Sequence, residues 1–386
     1  MKPLNFTQEQ VTKILENIAT EKEGFNKVMQ IAIEALMRAE RDEFNKEQSD
    51  VSNGYRSRRF FGKGKELVLS VPRSRYHKFY PILLSVLKDE DREAKELVFY
   101  LYGAGLTTEQ VGELFDKVYG KHYSTSQISR MFDFAREEVQ QWLSRSLETY
   151  YPIVYIDAVF ISVRRGDSVS KEAFYTILGI RPDRTREVLA IVNKPSESAT
   201  GWRSIFEELQ ERGVREIGLV VSDALTGIED AVAKVFSSEH QLCTVHLERN
   251  VLKEISRKDK SEIAEELKEV FNPNNPGDTV ETAWSRWQLF IEKHEKKYPA
   301  LKKMLNEHYR LYFTYFKYDY RIRSMIYTTN WIERLNRDYR RVTRMRGALP
   351  NVDAVLLLLG HVAMYKKAYL RKIPKLNYEK SFKWED

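Results

Sequence analysis

Three carboxylates in this sequence stand in surroundings that call for a chemical explanation. Asp157 lies inside the apolar stretch IVYIDAVFIS, although aspartate is depleted in strands and a buried carboxylate is costly unless it is paired or bound to a metal. Asp223 ends the apolar run IGLVVSD, and open sheets place ligand chemistry at the carboxyl ends of their strands. Glu333 leads a segment crowded with arginines. Together such oxygen ligands suit two Mg²⁺ or Mn²⁺ ions, which catalyse in-line phosphoryl displacement.

Each acid also has a structural alternative. Asp157 would alternatively form a core salt bridge or lie on the solvent-facing side of its strand. Asp223 would cap the next helix, although Thr226 and Glu229 have the spacing of a capping box there. Glu333 would return a hydrogen bond to an N-cap at Asn330. The local patterns leave both interpretations open.

The segment that contains Glu333 predicts an amphipathic helix. At about 100° per residue, Glu333 and Asn336 fall on one face together with three arginines. Those arginines are Arg337, Arg340 and Arg344. The residues roughly opposite are Trp331, Leu335, Tyr339 and Val342. Guanidinium groups bind phosphates well, so the polar face is suited to a nucleic-acid backbone.

The composition indicates a folded protein with a clustered basic surface. The chain has 386 residues, 42% hydrophobic and 12% aromatic, which is enough for two or three domains with real cores. Lys and Arg number 63 against 56 Asp and Glu, for a formal charge of +7. The excess is concentrated in the arginine helix and in residues 56–78. The candidate DNA contacts in that second cluster are Arg56, Arg58, Arg59, Arg73 and Arg75.

Cysteine usage and apolar runs favour a soluble cytoplasmic protein. Cys243 is the single cysteine, so an internal disulfide framework is excluded. The first residues, MKPLNFTQEQ, have no apolar signal core. The longest apolar run, AVLLLLGHVAMY, is too short to span a bilayer.

The first part of the chain predicts a mainly helical DNA-binding region. Residues 1–90 combine helix with a basic hairpin, and residues 91–148 have the layout of a helix-turn-helix. Thr107 and Gln110 have capping-box spacing at the start of one helix. The following helix would offer Gln127 and Arg130 to a DNA groove. Such helix pairs also occur as plain packing units.

The remainder predicts an α/β catalytic part interrupted by helices. In residues 149–246, three meandering strands precede alternating helix and strand, which indicates a mixed sheet flanked by helices. Residues 247–325 are nearly all helical and highly charged, as in an insertion, and residues 326–386 return to the core and end in helices. Aromatic residues in the insertion favour core packing over stacking on unpaired bases.

These motifs resemble the Mutator-like family of bacterial insertion-sequence transposases. The similar segments are NGYRSRRF, VPRSR, YPIVYIDA, VSDALTG, QLCTVHLERN and IYTTNWIERLNRDYRR. Trp331 stands where the family usually has a small residue, and Ser324 where an arginine is common. The resemblance covers most of the chain and implies a ribonuclease-H-like fold for the catalytic part.

The resemblance implies roles for the acids and for DNA. Asp157, Asp223 and Glu333 would be the catalytic acids of a DDE motif and would bind two Mg²⁺ or Mn²⁺ ions. A homodimer would bind the terminal inverted repeats of its element and target DNA, in the cytoplasm at the nucleoid. Hydrolysis would free a 3′-hydroxyl that attacks another strand, commonly through a circular intermediate.

Four further residues are expected to support this site. Cys243 and His246 match a Cys-x-x-His feature, but two ligands do not make a structural zinc site. Asn330 and Asn336 match the family pattern around the third acid. Two other functions stay open: a metal-dependent nuclease or resolvase that does not join, and a transposase-derived regulator that binds DNA without cutting it.

Overall fold

The computed structural model describes residues 24–62, 65–119, 125–193, 199–373 and 382–383. The chain divides into two compact units, Met1–Arg136 and Glu137–Asp386. Within the described residues, no helix combines the length and apolar character that a membrane crossing needs.

The first unit is built around the predicted hairpin. Strands β1 (Ser52–Gly62) and β2 (Lys65–Ser74) pair antiparallel, and helices α1 (Gly24–Glu47) and α2 (Ile82–Gly103) pack against them. The glycine-rich turn between the strands falls partly outside the described residues. The small core consists of Ile33, Met37, Leu69, Val71 and Leu84.

Two helices follow, as the sequence predicts. They are α3 (Thr108–Tyr119) and α4 (Thr125–Leu143), and α4 contains the point at which the two units divide. The capping box at α3 is confirmed: Gln110 N donates to Thr107 Oγ1 at 3.2 Å, and Thr107 N donates to Gln110 Oε1 at 2.9 Å. The turn at 120–124 lies outside the described residues, so the helix-turn-helix stays a prediction.

The second unit contains a five-stranded mixed sheet. Strands β3 (Tyr150–Arg165), β4 (Ser168–Ile180) and β5 (Arg186–Asn193) form an antiparallel meander. Strands β6 (Glu216–Ser222) and β7 (Glu239–Leu242) run parallel to β3, which gives the order β5-β4-β3-β6-β7. The predicted mixed sheet is confirmed; β3, β4, β5 and β6 fall on apolar runs of the sequence, whereas β7, with the sequence EHQL, does not.

Helices cover both faces of this sheet. Helices α5 (Ala199–Glu211) and α6 (Ile228–Val235) bury one face in a core with Val154 and Ile156. Successive side chains of a strand point to opposite faces. Asp157 therefore points to the other face of β3.

Helical segments connect β7 to the C-terminal helices. They are α7 (Thr244–Glu254), α8 (Lys260–Val270), α9 (Val280–His294), 3₁₀ segments Pro299–Leu305 and Glu307–Lys317, and α10 (Tyr320–Ile326). Their aromatic residues pack on one another: the rings of Phe271 and Phe313 stack with centroids 5.4 Å apart, and Trp287 is fully buried. Core packing, the favoured interpretation of these rings, is confirmed.

The chain ends with α11 (Asn330–Arg344), α12 (Val352–Met364) and the 3₁₀ turn Lys367–Leu370. Helix α11 packs against β3, and α12 packs against β5 and α11. The segment that carries the third acid therefore lies on the face of the sheet to which Asp157 points.

Candidate active site

Strand register brings the first two acids together. Strands β3 and β6 pair as far as Ile156, whose partner is Ser222. The next residue of each strand is an acid, Asp157 in β3 and Asp223 directly after β6. Strand β3 continues to Arg165 and so extends past the end of β6. The two carboxylates consequently lie side by side where the parallel pairing stops.

Two hydrogen bonds fix the segment that leads into α11. Tyr155 Oη donates to the carbonyl of Met325 at 2.9 Å. Thr244 N donates to the carbonyl of Tyr327 at 3.0 Å. The first anchors the chain to β3, and the second anchors it to the start of α7. Glu333, in the first turn of α11, is thereby held near the strand ends.

The three acids line one pocket of about 260 Å³. Among its other lining residues are Cys243, His246, Arg249, Thr329, Asn330 and Arg340. The structure thus brings together acids that are 66 and 110 positions apart along the chain. Sequence reasoning missed Arg249 and Thr329; the only available signal was that Arg249 follows His246 by three positions, which is one helical turn.

Asp157 is a buried carboxylate that contacts only neutral donors. Asn336 Nδ2 donates to its Oδ2 at 2.8 Å, and Ala158 N donates to its Oδ1 at 2.8 Å. Burial raises the pKa of Asp157, and the nearby Asp223 carboxylate raises it further. No cation of the described residues lies within ion-pair distance of it. Asp157 is therefore held by hydrogen bonds and not by an ion pair.

Cys243 and His246 contact the second acid and the start of α11. His246 Nδ1 lies 2.5 Å from Asp223 Oδ1, and hydrogen bonds to Asp223 and to Cys243 raise the pKa of His246 to about 10. Thr329 Oγ1 donates to the buried Cys243 Sγ at 3.5 Å. One ligand atom from each of Asp223, Cys243 and His246 lies within 4.8 Å of the others. These contacts agree with the expected supporting role, which stays a prediction.

Helix α11 follows the predicted wheel except at Asn336. Its arginines Arg337, Arg340 and Arg344 are exposed. On the predicted apolar side, Leu335, Tyr339 and Val342 are buried and Trp331 is half-buried. Asn336 was expected beside the arginines but is fully buried. On the wheel it borders the buried Ile332, so a small rotation of the helix directs its amide to Asp157.

Both capping alternatives are wrong. Helix α11 has Thr329 as its N-cap, with Asn330 as its first residue and without a side-chain capping bond. Helix α6 begins at Ile228 after Gly227, whose left-handed φ of 79° ends the preceding turn, again without a side-chain cap. Glu333 and Asp223 are therefore not explained by helix capping.

The arginines of the hairpin lie on two faces. Arg56 and Arg58 are paired with the buried Val71 and Leu69, so they share a face with the small core. Arg59 points to the opposite face. Arg56, Arg59, Arg73 and Arg75 are exposed and Arg58 is half-buried. Arg130 is exposed on α4, whereas the side chain of Gln127 lies outside the described residues.

Comparison with known proteins identifies the family of the chain. The family model described as "Transposase, Mutator family" matches residues 6–371. The transposase for insertion sequence element IS905 of Lactococcus lactis subsp. lactis (strain IL1403) is 31% identical over 334 residues, covering 86% of this chain and 84% of the relative. The transposase for insertion sequence element IS256 in transposon Tn4001 of Staphylococcus aureus is 28% identical over 342 residues, covering 88% of this chain and 87% of the relative. The chain belongs to the Mutator family of transposases.

Proposed function

We propose that this protein is a DNA transposase that binds the terminal inverted repeats of its element, frees a 3′-hydroxyl and joins it to a second strand. The observation that carries this proposal is the convergence of Asp157, Asp223 and Glu333 in one pocket of a Mutator-family chain. The strand order β5-β4-β3-β6-β7 supports a ribonuclease-H-like core, with the helices between β7 and α11 as its insertion.

The acid pocket fits divalent cations. Asp157 is buried beside a second carboxylate and has no cation within ion-pair distance among the described residues, so a bound cation would stabilise its charge. Asp157, Asp223 and Glu333 would hold two Mg²⁺ or Mn²⁺ ions, since these ions prefer carboxylate oxygens. Bound there, the ions would polarise the phosphodiester and activate the attacking oxygen.

The surrounding side chains orient these acids and hold the strand. Asn336 and the Ala158 N–H each fix one oxygen of Asp157, and the remaining lone pairs of these oxygens would bind the cations. His246 restrains Asp223 through the contact between its Nδ1 and Asp223 Oδ1. Arg249 and Arg340 line the pocket and would hold a phosphate of the reacting strand. The exposed Arg337 and Arg344 would extend this interaction along the DNA.

The first unit would recognise the ends of the element. Its exposed hairpin arginines would bind phosphates, and helix α4 would offer Gln127 and Arg130 to base edges. A homodimer would hold the two ends together.

Neutralising Arg56 and Arg59 should reduce the slope of log affinity against log salt by about 0.9 for each phosphate that the protein no longer neutralises.

The decisive experiment is strand transfer with a labelled oligonucleotide that bears the element's own end. In Mg²⁺, the unmodified protein should give joined product, and Glu333→Gln should give none. Glu207→Gln is the matched control, because Glu207 is an exposed acid on α5. Cleavage without joining would support a nuclease instead. Binding without either reaction would support a DNA-binding regulator.

A further inference from the structure

A second pocket of the Glu137–Asp386 unit is strongly basic. It has a volume of about 330 Å³ and lies where β5 begins, beside the end of α12. Its basic lining residues are Arg145, Arg181, Arg186, Lys366 and Lys367. Glu187 is the one acid among the described residues that line it. The proposed chemistry of the acid pocket uses none of these side chains.

Part of this positive charge is neutralised within the protein. Arg145 Nη2 and Arg181 Nη2 lie 2.5 and 2.6 Å from Glu187 Oε2. Lys366 pairs with Asp338. One carboxylate therefore serves two arginines, and the pocket keeps a net positive charge.

Arg186 is half-buried in the pocket, and its contacts are with two aromatic rings and a backbone carbonyl. Its guanidinium lies 5.0 Å from the ring centroid of Trp331 and 5.1 Å from that of Tyr369. Nη2 donates to the carbonyl of Ala368 at 2.6 Å, but the buried Nε has no partner. No carboxylate among the described residues pairs with Arg186. A second arginine, Arg334, lies 5.9 Å from the same Trp331 ring.

Such an arrangement favours an anionic ligand. Buried charges in proteins are normally paired, because removing a charge from water is costly. Burial and the charge of Arg334 both lower the pKa of Arg186, so a bound anion would relieve an existing penalty. The flanking rings hold the planar guanidinium, and its Nε lacks an acceptor within the protein.

We infer that this second pocket binds a phosphate group of the DNA strand on which the acid pocket acts. The inference rests on the proposed function for the identity of the DNA. Trp331, whose ring contacts Arg186, and Glu333, which lines the acid pocket, both belong to the first turn of α11, so the start of this helix lies next to both Arg186 and the acids. A strand that follows the start of α11 would place one phosphate against Arg186 and another against the acids. Exposed Tyr365 and half-buried Trp142 add rings on which bases stack.

The test is the salt dependence of binding to a fluorescent duplex with the element's end, measured by anisotropy in EDTA. Arg186→Gln should lower the slope of log affinity against log salt by about 0.9, the value for one phosphate fewer neutralised by the protein. Lys367→Gln, at the exposed rim, should lower it in the same direction. Arg215→Gln is the matched control, because Arg215 is an exposed arginine of this unit outside the pocket.

Unchanged slopes in folded variants, judged by circular dichroism, would overturn the inference. If Arg186→Gln fails to fold, Lys367→Gln decides alone. Equilibrium dialysis with labelled pyrophosphate separates the two sources of phosphate: tight binding of pyrophosphate with unchanged DNA slopes would assign the pocket to a free phosphate ligand and overturn the DNA version.

The outcomes for the inference and for the proposed function are distinguishable. Reduced slopes without any joined product would uphold the basic pocket and contradict the transposase reaction. Joined product with unchanged slopes in both variants would uphold the transposase reaction and contradict phosphate binding in the basic pocket.

Discussion

Two buried carboxylates on one sheet differ in the charge of their hydrogen-bond partners. Glu187 on β5 and Asp157 on β3 are both less than a tenth exposed. Glu187 receives hydrogen bonds from Arg145 at 2.5 Å, from Arg181 at 2.7 Å and from Tyr151 Oη at 2.6 Å. Its charge is therefore fully compensated by its neighbours.

Asp157 has a different environment. Its partners are the neutral Asn336 amide and a backbone N–H, and the nearest carboxylate is Asp223. The difference is one of compensation, since burial is similar. A carboxylate with cationic partners of its own is neutralised within the fold, whereas Asp157, which has no cation within ion-pair distance among the described residues, is free to bind a divalent cation.

The largest expected effect of this difference is on activity. Asp157→Asn should lower joining by about a thousandfold or more, because the variant lacks a metal ligand and its share of transition-state stabilisation. Binding to the element's end should remain. Rates of joining and anisotropy titrations on the same preparation measure both. Asp167→Asn, an exposed acid in the β3–β4 turn, serves as the control, and similar rates for the two variants would remove Asp157 from the chemistry.

The next effect is the loss of stability at the compensated carboxylate. Glu187→Gln should lower the free energy of unfolding by about 3–5 kcal/mol, because two partly buried arginines lose their partner. Urea denaturation measures the change, and Glu207→Gln should stay within about 0.5 kcal/mol of the unmodified protein. A decrease smaller than about 1 kcal/mol would show that water replaces Glu187 adequately.

A smaller effect of opposite sign is expected at Asp157. Without divalent ions, Asp157→Asn should raise the melting temperature by about 2–6 °C, since it removes a buried charge next to Asp223. Mg²⁺ should stabilise the unmodified protein more than the variant. Thermal melts with and without Mg²⁺ test both statements. A lower melting temperature of the variant in EDTA would mean that Asp157 is compensated after all.

The smallest effect concerns a third buried carboxylate, in the other unit. Asp50 accepts hydrogen bonds from the backbone N–H groups of Val51, Tyr76 and His77. Burial alone would raise its pKa, but these donors outweigh burial and lower it to about 2. The folded pKa is below the unfolded one, so the stabilisation is present above pH ~4 and disappears as the pH falls through 2.

Asp50→Asn should remove this pH-dependent contribution to stability. Melting temperatures of the unmodified protein should fall between pH ~4 and pH ~2 more steeply than those of the variant. The His77 side chain also pairs with Asp50, so His77→Gln is measured alongside. Parallel curves for Asp50→Asn and the unmodified protein would assign the acid sensitivity to other carboxylates.

Much of this fold was predictable because burial leaves a periodic trace in the sequence. Strands β3, β4, β5 and β6 correspond to apolar runs, and the capping box at Thr107 was recognisable from two residues. Asp157 was recognisable as unusual because its neighbours in the sequence are apolar. The exposed arginines of α11 followed from helical spacing.

The partners of these residues were decided only by tertiary structure. Asn336 meets Asp157 across 179 positions, and Arg145 meets Glu187 across 42, and nothing local specifies either pair. The helical wheel placed Asn336 on the wrong side. Helical periodicity indicates which side of a helix is buried, but it does not show that a polar partner such as Asp157 lies on the buried side. The sequence alone determined that one acid lies inside an apolar strand, that a second follows the end of another strand, and that arginines line one helix. Strand register and long-range packing decided that Asp157 lacks a cation while Glu187 has two, because charge compensation depends on distances that only the folded chain sets.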